Sequence, residues 1–144
     1  MKAVKKKRLL VISISILLLT GSYIPTAYAG LDNIGFTFHM PAFTDNTYSE
    51  SRYRQTKHRT NPWMVNFTYN TEGQGCKATF FLTKSKGKIP MSEEHTLKAF
   101  ESGMRKYKDA YGGAQQTNVC LGCHNNNYTK KEYVVGGTWD EETW

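Results

Sequence analysis

The residues with the clearest chemical potential are two cysteines and a histidine near the C-terminus. Cys120, Cys123 and His124 have the C-x-x-C-H spacing that attaches c-type haem. In that chemistry two thioether bonds anchor the porphyrin, and the adjacent imidazole becomes an axial ligand of the iron. One interpretation of the chain is therefore a c-type haem electron carrier that binds its cofactor through these three residues.

The same residues also fit a β-strand that runs into an asparagine-rich turn. Alternation then places Cys123 on one face with Val119 and Leu121, and Cys120 on the other face with His124. We favour this interpretation, because most of the chain alternates with the period of a strand, whereas small c-type cytochromes are helical around their haem. The prediction is a domain without a cofactor, and covalent haem is the alternative.

The three cysteines of the chain also raise the questions of zinc and of disulfides. A zinc site needs four ligands, for instance Cys76, Cys120, Cys123 and His124, but the second paired motif of a strong zinc signature is missing, so no metal is expected. In an exported domain the usual role of cysteine is a disulfide. Because Cys120 and Cys123 would point to opposite faces of one strand, we expect Cys76 to pair with either of them. The third cysteine is then free or paired between chains.

The N-terminus has the features of a secretory signal peptide. A basic segment (residues 5–8) precedes an apolar run (residues 9–20), and residues 27–29 (Ala-Tyr-Ala) supply an A-x-A cleavage site. The apolar run is too short to span a membrane comfortably. We therefore expect residues 1–29 to be removed and residues 30–144 to form a single secreted β-rich domain.

Cleavage of this signal changes the charge of the protein. The chain has 19 Lys and Arg against 12 Asp and Glu, a net charge of +7. Five of the basic residues and none of the acidic ones lie in the signal, so the mature part has 14 basic and 12 acidic residues, a net charge of +2. The basic character of the precursor is thus no evidence for nucleic-acid binding, and no nucleic-acid partner is expected.

Apolar and polar residues alternate along much of the mature chain. The period of a half-buried strand occurs in residues 34–40, 63–69, 77–83, 116–124 and 132–139, with a weaker edge strand near 51–55. Turn residues separate these segments, and Gly136 and Gly137 indicate a bulge or a close backbone approach. The pattern predicts a mainly β fold, either a small antiparallel sandwich or a barrel.

Residues 92–109 are ambiguous. Leu97, Phe100 and Met104 are spaced three and four apart, which is typical of an amphipathic helix. Gly103 would then lie inside the helix at a cost of about 1 kcal/mol. The segment therefore fits either one short helix or two short strands.

Three local motifs occur together with the export signal. They are the early strand at residues 35–38, the asparagine run at residues 125–127, and the C-terminal segment at residues 137–142. Together they resemble a family of small secreted proteins from Gram-positive bacteria that carry a domain of unknown function. The resemblance implies a β-rich extracellular domain with strands at residues 96–111, and it brings no catalytic residues. That family is distantly similar to the lactococcin-type bacteriocins, which are secreted β-sandwiches.

Residues 63–69 and 77–83 flank a glycine-containing turn and are predicted to form a hairpin. The segment before this hairpin is basic and contains aromatic residues. Its candidate binding residues are Arg52, Tyr53, Arg54, Lys57, Arg59 and Trp63. They would contact an anionic envelope component or a membrane surface, and the alternative is a solvated loop. As exposed charges, the four cations should be replaceable by alanine with little effect on folding. Residues 140–142 (Asp-Glu-Glu) are expected to be only a charged tail.

Enzyme motifs are missing from the sequence. There is no G-x-S-x-G elbow, no H-E-x-x-H and no phosphate-binding loop, so no catalytic residues are assigned. We predict an exported, non-enzymatic protein that acts at or beyond the cell envelope. Its role would be bacteriocin-like, or the binding of an anionic envelope component.

Overall fold

The computed structural model of the chain describes residues 32–43, 45–100, 103–126 and 128–143. The predicted signal peptide, residues 1–29, lies outside the described residues. Ten strands are present, which are β1 (Ile34–Met40), β2 (Asn46–Tyr48), β3 (Arg52–Arg54), β4 (Trp63–Asn70), β5 (Lys77–Lys84), β6 (Ile89–Pro90), β7 (His95–Lys98), β8 (Arg105–Tyr107), β9 (Thr117–Asn125) and β10 (Tyr133–Asp140). No helix occurs in the described ranges, so the predicted mainly β class is confirmed. A helix long and apolar enough to cross a membrane is likewise absent from these ranges.

The strands form two antiparallel sheets. The first sheet has the order β1-β10-β4-β8, and the second has the order β2-β9-β5-β6. In the second sheet β3 continues the β2 edge along β9, while β7 continues the β6 edge along β5. The two sheets remain separate and enclose one hydrophobic core, so the sandwich is the correct one of the two predicted architectures.

Alternation along the strands decides which side chains enter this core. In β4 the buried core residues are Trp63, Val65 and Phe67, as the sequence pattern predicts. Phe80 of β5 packs edge-on against Phe67, with ring centroids 5.5 Å apart. Burying one such side chain contributes about 1.5–3 kcal/mol, which makes the aromatic layer between the sheets a main source of stability.

The region 92–109 forms β7 and β8, so the helical alternative is wrong. β7 pairs with the edge of β5, from Lys77 opposite Lys98 to Phe80 opposite His95. Phe100 has a φ of 64° and Gly103 a φ of 81°, and both values break a right-handed helix. Each of the two short strands adds backbone hydrogen bonds to an open sheet edge. This pairing outweighs the helical preference that the apolar spacing indicates.

A bulge lies at the paired glycines of β10. The register between β10 and β4 shifts between Gly136 and Gly137, which confirms the predicted irregularity. A Cβ atom at Gly137 would lie 1.9 Å from the carbonyl oxygen of Asn66 on β4, so a larger residue cannot occupy this position without moving the strand. Glycine here permits the close approach of the two backbones.

The edge strands on both sides of the second sheet are interrupted beside the same pair of central residues. At each interruption a serine hydroxyl replaces the missing backbone acceptor. The amide N–H of Leu121 donates to Ser49 Oγ over 2.9 Å, and the amide N–H of Leu82 donates to Ser92 Oγ over 2.8 Å. Leu82 and Leu121 are direct partners in the central pair of strands. Each hydroxyl donates in turn to the carbonyl of the residue that follows it. The serines therefore satisfy main-chain groups that the broken edge strands leave open.

We expect Ser92→Ala to reduce the free energy of unfolding by about 1–3 kcal/mol, because the buried N–H of Leu82 loses its acceptor. Urea unfolding at neutral pH measures the change. Ser51→Ala, at an exposed serine between β2 and β3, is the matched control and should change stability little. Equal stability of the two variants would show that the hydroxyl at position 92 is dispensable.

Candidate functional site

The C-x-x-C-H residues lie on β9, as the strand interpretation predicts. Cys123 belongs to the hydrophobic core together with Val119 and Leu121. Cys120 is buried on the opposite face of the strand, and His124 is half-buried on that same outer face. The two cysteines of the motif therefore face different environments.

This arrangement does not fit covalent haem. Two thioether bonds to one porphyrin require both sulfur atoms on one side of the chain, and Cys123 is fully enclosed by the core. The glycine of the motif has a packing role instead. A Cβ atom at Gly122 would lie 2.4 Å from the ring of Phe81, so the ring covers this position closely. Packing of the outer face of the sheet thus accounts for the small residue between the cysteines.

The four residues considered for zinc also lie on different faces of the second sheet. His124 Nε2 lies 3.3 Å from a carboxylate oxygen of Glu94, on the outer face of the sheet, whereas Cys123 Sγ lies 3.7 Å from Met40 Sδ in the core. Across the part of the chain that the structure describes, no group of three or more His, Cys, Asp or Glu side chains could hold a metal ion.

All three cysteines are buried free thiols in this structure, so the predicted disulfide is not present in it. Cys76 and Cys123 share the core, and burial raises the pKa of both thiols, that of Cys76 to about 12. A hydrogen bond to Glu72 and its charge add to the shift of Cys76, and the charge of Cys76 adds to that of Cys123. A disulfide of Cys76 stays a prediction, with Cys123 as the partner on the same side of the sheet.

The basic segment is organised around a buried arginine. Arg54 is fully buried at the end of β3, and its guanidinium donates to four main-chain carbonyls. The acceptors are Glu141 at 2.9 Å, Ala114 at 3.3 Å, Arg59 at 3.5 Å, and Asn61. The prediction that Arg54 is an exposed binding residue is wrong, because its side chain holds together loops that are distant in sequence.

Arg52 is engaged as well. Its Nη2 atom donates to Asp32 and to Glu141 over 3.0 Å each, and its Nε atom donates to the second carboxylate oxygen of Glu141. Partial burial acts to lower the pKa of Arg52, but hydrogen bonds and charge from Glu141 and Asp32 outweigh it and raise the pKa. This fork arrangement is the strong form of an arginine–carboxylate contact, so the cation is neutralised on site.

The C-terminal acidic residues 140–142 are buried, so their description as a charged tail is wrong. Glu142 accepts hydrogen bonds from the amide N–H groups of Gln55 and Thr56 at 2.8 and 2.7 Å. Burial raises the pKa of Asp140, against the lowering effect of two backbone N–H groups that donate to it. The tail thus completes the structure around the buried arginine.

Trp63 does not reach the surface. It is fully buried, and its indole Nε1 donates to Asp109 over 2.9 Å. Asp109 also hydrogen-bonds His95, whose ring stacks on Tyr107 at 3.6 Å with an interplanar angle of 12°. This cluster connects the edge of the second sheet with the first. No local motif indicates it, because Trp63, His95 and Tyr107 are separated in sequence by 12 residues or more.

Three of the six candidate binding residues are therefore exposed. Tyr53 has half of its surface accessible, and Lys57 and Arg59 lie on the loop that follows β3. Arg52 is half-buried and ion-paired. The basic segment therefore divides into two parts. The arginines of β3 are structural, whereas the cations of the loop are exposed.

The exposed charged residues of the described ranges are mostly basic. Eleven exposed bases are Lys57, Arg59, Lys77, Lys86, Lys88, Lys98, Arg105, Lys106, Lys108, Lys130 and Lys131. Seven exposed acids are Asp32, Asp45, Glu50, Glu72, Glu93, Glu94 and Glu132. Burial affects both signs, because Arg52, Arg54 and Lys84 are not exposed and neither are Asp109 and the carboxyl groups of residues 140–142.

We expect Arg54→Met to lower the free energy of unfolding by about 3–5 kcal/mol, because it leaves buried carbonyls and the nearby Glu142 carboxylate without their cation. Urea unfolding measures the loss. Arg59→Met, which removes an exposed cation five residues away, should alter stability by no more than about 0.5 kcal/mol. Similar values for the two variants would refute the structural role of Arg54.

We expect non-reducing peptide mapping of the protein, recovered under oxidising conditions, to find a bond between Cys76 and Cys123, with Cys120 free. The bond would close a loop of about 45 residues, worth on the order of 4 kcal/mol in the chain-entropy model. Cys120→Ser should retain the crosslink, whereas Cys123→Ser should abolish it. A crosslink to Cys120, or three free thiols under the same oxidising conditions, would contradict this pairing.

One comparison with known proteins gives a match. The family model of DUF2712, described as a protein of unknown function, matches residues 25–143. No curated protein and no solved structure matches the chain. The match covers both sheets of the sandwich and the buried C-terminal residues, and it agrees with the resemblance to a family whose domain has no assigned function. Because the family model spans most of the sequence, the chain belongs to the DUF2712 family.

Proposed function

We propose that the mature protein is an exported, non-enzymatic binding protein that acts at or beyond the cell envelope by attaching to an anionic envelope component. A bacteriocin-like role among Gram-positive bacteria is the form of this function that the sequence resemblance favours. The observation that carries the proposal is the distribution of charge at one end of the sandwich, where the carboxyl groups of residues 140–142 are buried together with Arg54 and five other cations are exposed.

Several basic loops meet at this end, which we call the lysine-rich end. It is formed by the loop after β3, the turn between β5 and β6, and the residue after β8, and its cations are Lys57, Arg59, Lys86, Lys88 and Lys108. Strand pairing brings the segments to one end, since Arg54 is opposite Thr117, Thr83 is opposite Cys120, and Trp63 is opposite Tyr107.

The carboxylates near the lysine-rich end are already engaged. Glu141 is paired with Arg52, and Asp109 accepts from Trp63. Glu50 lies 3.6 Å from Lys86, but both side chains are largely exposed, so this ion pair is weak. The exposed side chains of this end therefore include more cations than carboxylates, which favours contact with polyanions even though the net charge of the mature chain is only +2.

The test is a triple substitution, Lys57→Gln, Arg59→Gln and Lys88→Gln, with binding measured to isolated cell walls and to vesicles containing anionic lipid. A basic residue near an anionic surface contributes about 1 kcal/mol, so the affinity should fall at least tenfold. Binding of the parent protein should also weaken as salt rises, because exposed charges are screened over about 8 Å at physiological ionic strength.

The matched control removes the same charge from the opposite end of the sandwich, through Lys77→Gln, Lys130→Gln and Lys131→Gln. This control should bind within about threefold of the parent, because its substitutions lie away from the contact surface. An equal loss of affinity in both variants would show that only the total charge matters and not its location. No loss of affinity in either variant would refute the proposal. Binding to walls alone or to vesicles alone identifies the anion as a wall polymer or a lipid headgroup.

A further inference from the structure

An open cleft of about 600 Å³ separates the edges of the two sheets on the side of β1. One wall is β1, the edge strand of the first sheet, and the other is the β2–β3 edge of the second sheet. The two walls contribute residues 34–39 and residues 47–50, and Arg52 and Trp139 complete the lining. The cleft uses none of the cations of the lysine-rich end.

The way in which these residues line the cleft shows what kind of surface it offers. A strand that presents its face to a cavity contributes every second residue, because side chains alternate between faces. Here runs of six and of four consecutive residues line the walls, so the main-chain edges themselves face the cleft. Among the described residues, β1 pairs only with β10 and β2 pairs only with β9. The cleft therefore lies between two open rows of backbone donors and acceptors.

Beneath these edges the lining is apolar. Phe36, Phe38 and Trp139 are buried core residues that also line the cleft, and the rings of Phe36 and Phe38 lie 5.1 Å apart. Thr37 and Thr47 contribute hydroxyl groups along the walls. An occupant would thus meet apolar surface on one side and main-chain groups along its length.

The charged residues at the cleft are paired. Arg52 is held by Asp32 and Glu141, and Glu50 contacts Lys86. The charge of Arg52 is compensated by its two carboxylate partners, whereas the Glu50 contact is exposed and weak, so the lining favours an uncharged occupant over an anion.

The two walls are not equivalent. Tyr48 is opposite Gly122 and Arg52 is opposite Val119, so the β2–β3 edge has one more residue than β9 between these pairs. Such a bulge bends the strand and interrupts regular pairing. β1, by contrast, pairs with β10 in unbroken register over seven residues, which makes its outer edge the regular template.

We propose that this cleft binds an extended, uncharged peptide segment of another polypeptide, which adds to the first sheet as a strand antiparallel to β1. Its alternate side chains are apolar and pack on Phe36, Phe38 and Trp139, while its backbone pairs with the outer edge of β1. A small amphiphile would cover the apolar lining but leave the rows of backbone groups open. The β1 strand of a second copy would leave the lining empty, because its phenylalanines are buried in their own core.

The probe is a capped heptapeptide of alternating threonine and valine, titrated into isotope-labelled mature protein. We expect saturable NMR shifts at the β1 amides and the Trp139 indole, with slower hydrogen exchange along β1. Thr47→Trp, which fills the cleft, should weaken binding at least tenfold. Thr68→Trp, at an exposed position of β4 away from the cleft, should leave the affinity within about twofold of the parent.

Two N-methylated peptides make the test independent of protein variants. Alternate amides of an added strand point to opposite sides, so methylation of one set should weaken binding more than tenfold and methylation of the other set less than threefold. The proposal is overturned by an absence of saturable binding, by equal effects of the two methylated sets, or by peptide-independent dimerisation through β1. These outcomes are separate from those at the lysine-rich end, so failure of one proposal leaves the other standing.

Discussion

The structure depends on one buried guanidinium. Arg54 donates to carbonyls in three different segments, at Asn61, Ala114 and Glu141, while the carboxylate of Glu142 is bound by neighbouring backbone amides. Burial lowers the pKa of Arg54, and the charges of Glu142 and Glu141 act against that effect. A buried guanidinium is stable only if acceptors replace the water that it has lost. The loop carbonyls in turn need the guanidinium as their hydrogen-bond donor, so the buried cation and the loop conformation stabilise one another.

This constraint links the fold to the proposed binding surface. The C-terminal acidic residues 140–142 are buried with Arg54, and the loop after β3 exposes Lys57 and Arg59 but contains no acidic residue. Irregular loops are normally variable in conformation, but here a buried side chain bonds their carbonyls. The charge presented by Lys57 and Arg59 is therefore carried on a loop whose backbone is held in place by Arg54.

The edge strands of the two sheets differ in how their backbone groups are satisfied. On the second sheet, serine hydroxyls at Ser49 and Ser92 complete the hydrogen bonding where the edge strands break. On the first sheet, β8 is a short, basic edge with Arg105 and Lys106 exposed, a composition that discourages pairing with other chains. β1 lacks such charges and borders the cleft, which is why it stands out as an edge available for an added strand.

Local alternation in the sequence determined the mainly β fold and the opposite facing of Cys120 and Cys123, because side-chain direction in a strand depends only on neighbours. The predicted hairpin of residues 63–69 and 77–83 is wrong, because β4 pairs within the first sheet and β5 within the second. The absence of a helix at 92–109 was decided by the tertiary structure, since an open edge of β5 was available for pairing. Tertiary structure also decided which charges are buried. Arg54 and Glu142 are 88 residues apart, and a charge pattern read locally cannot indicate a partner brought near only by folding.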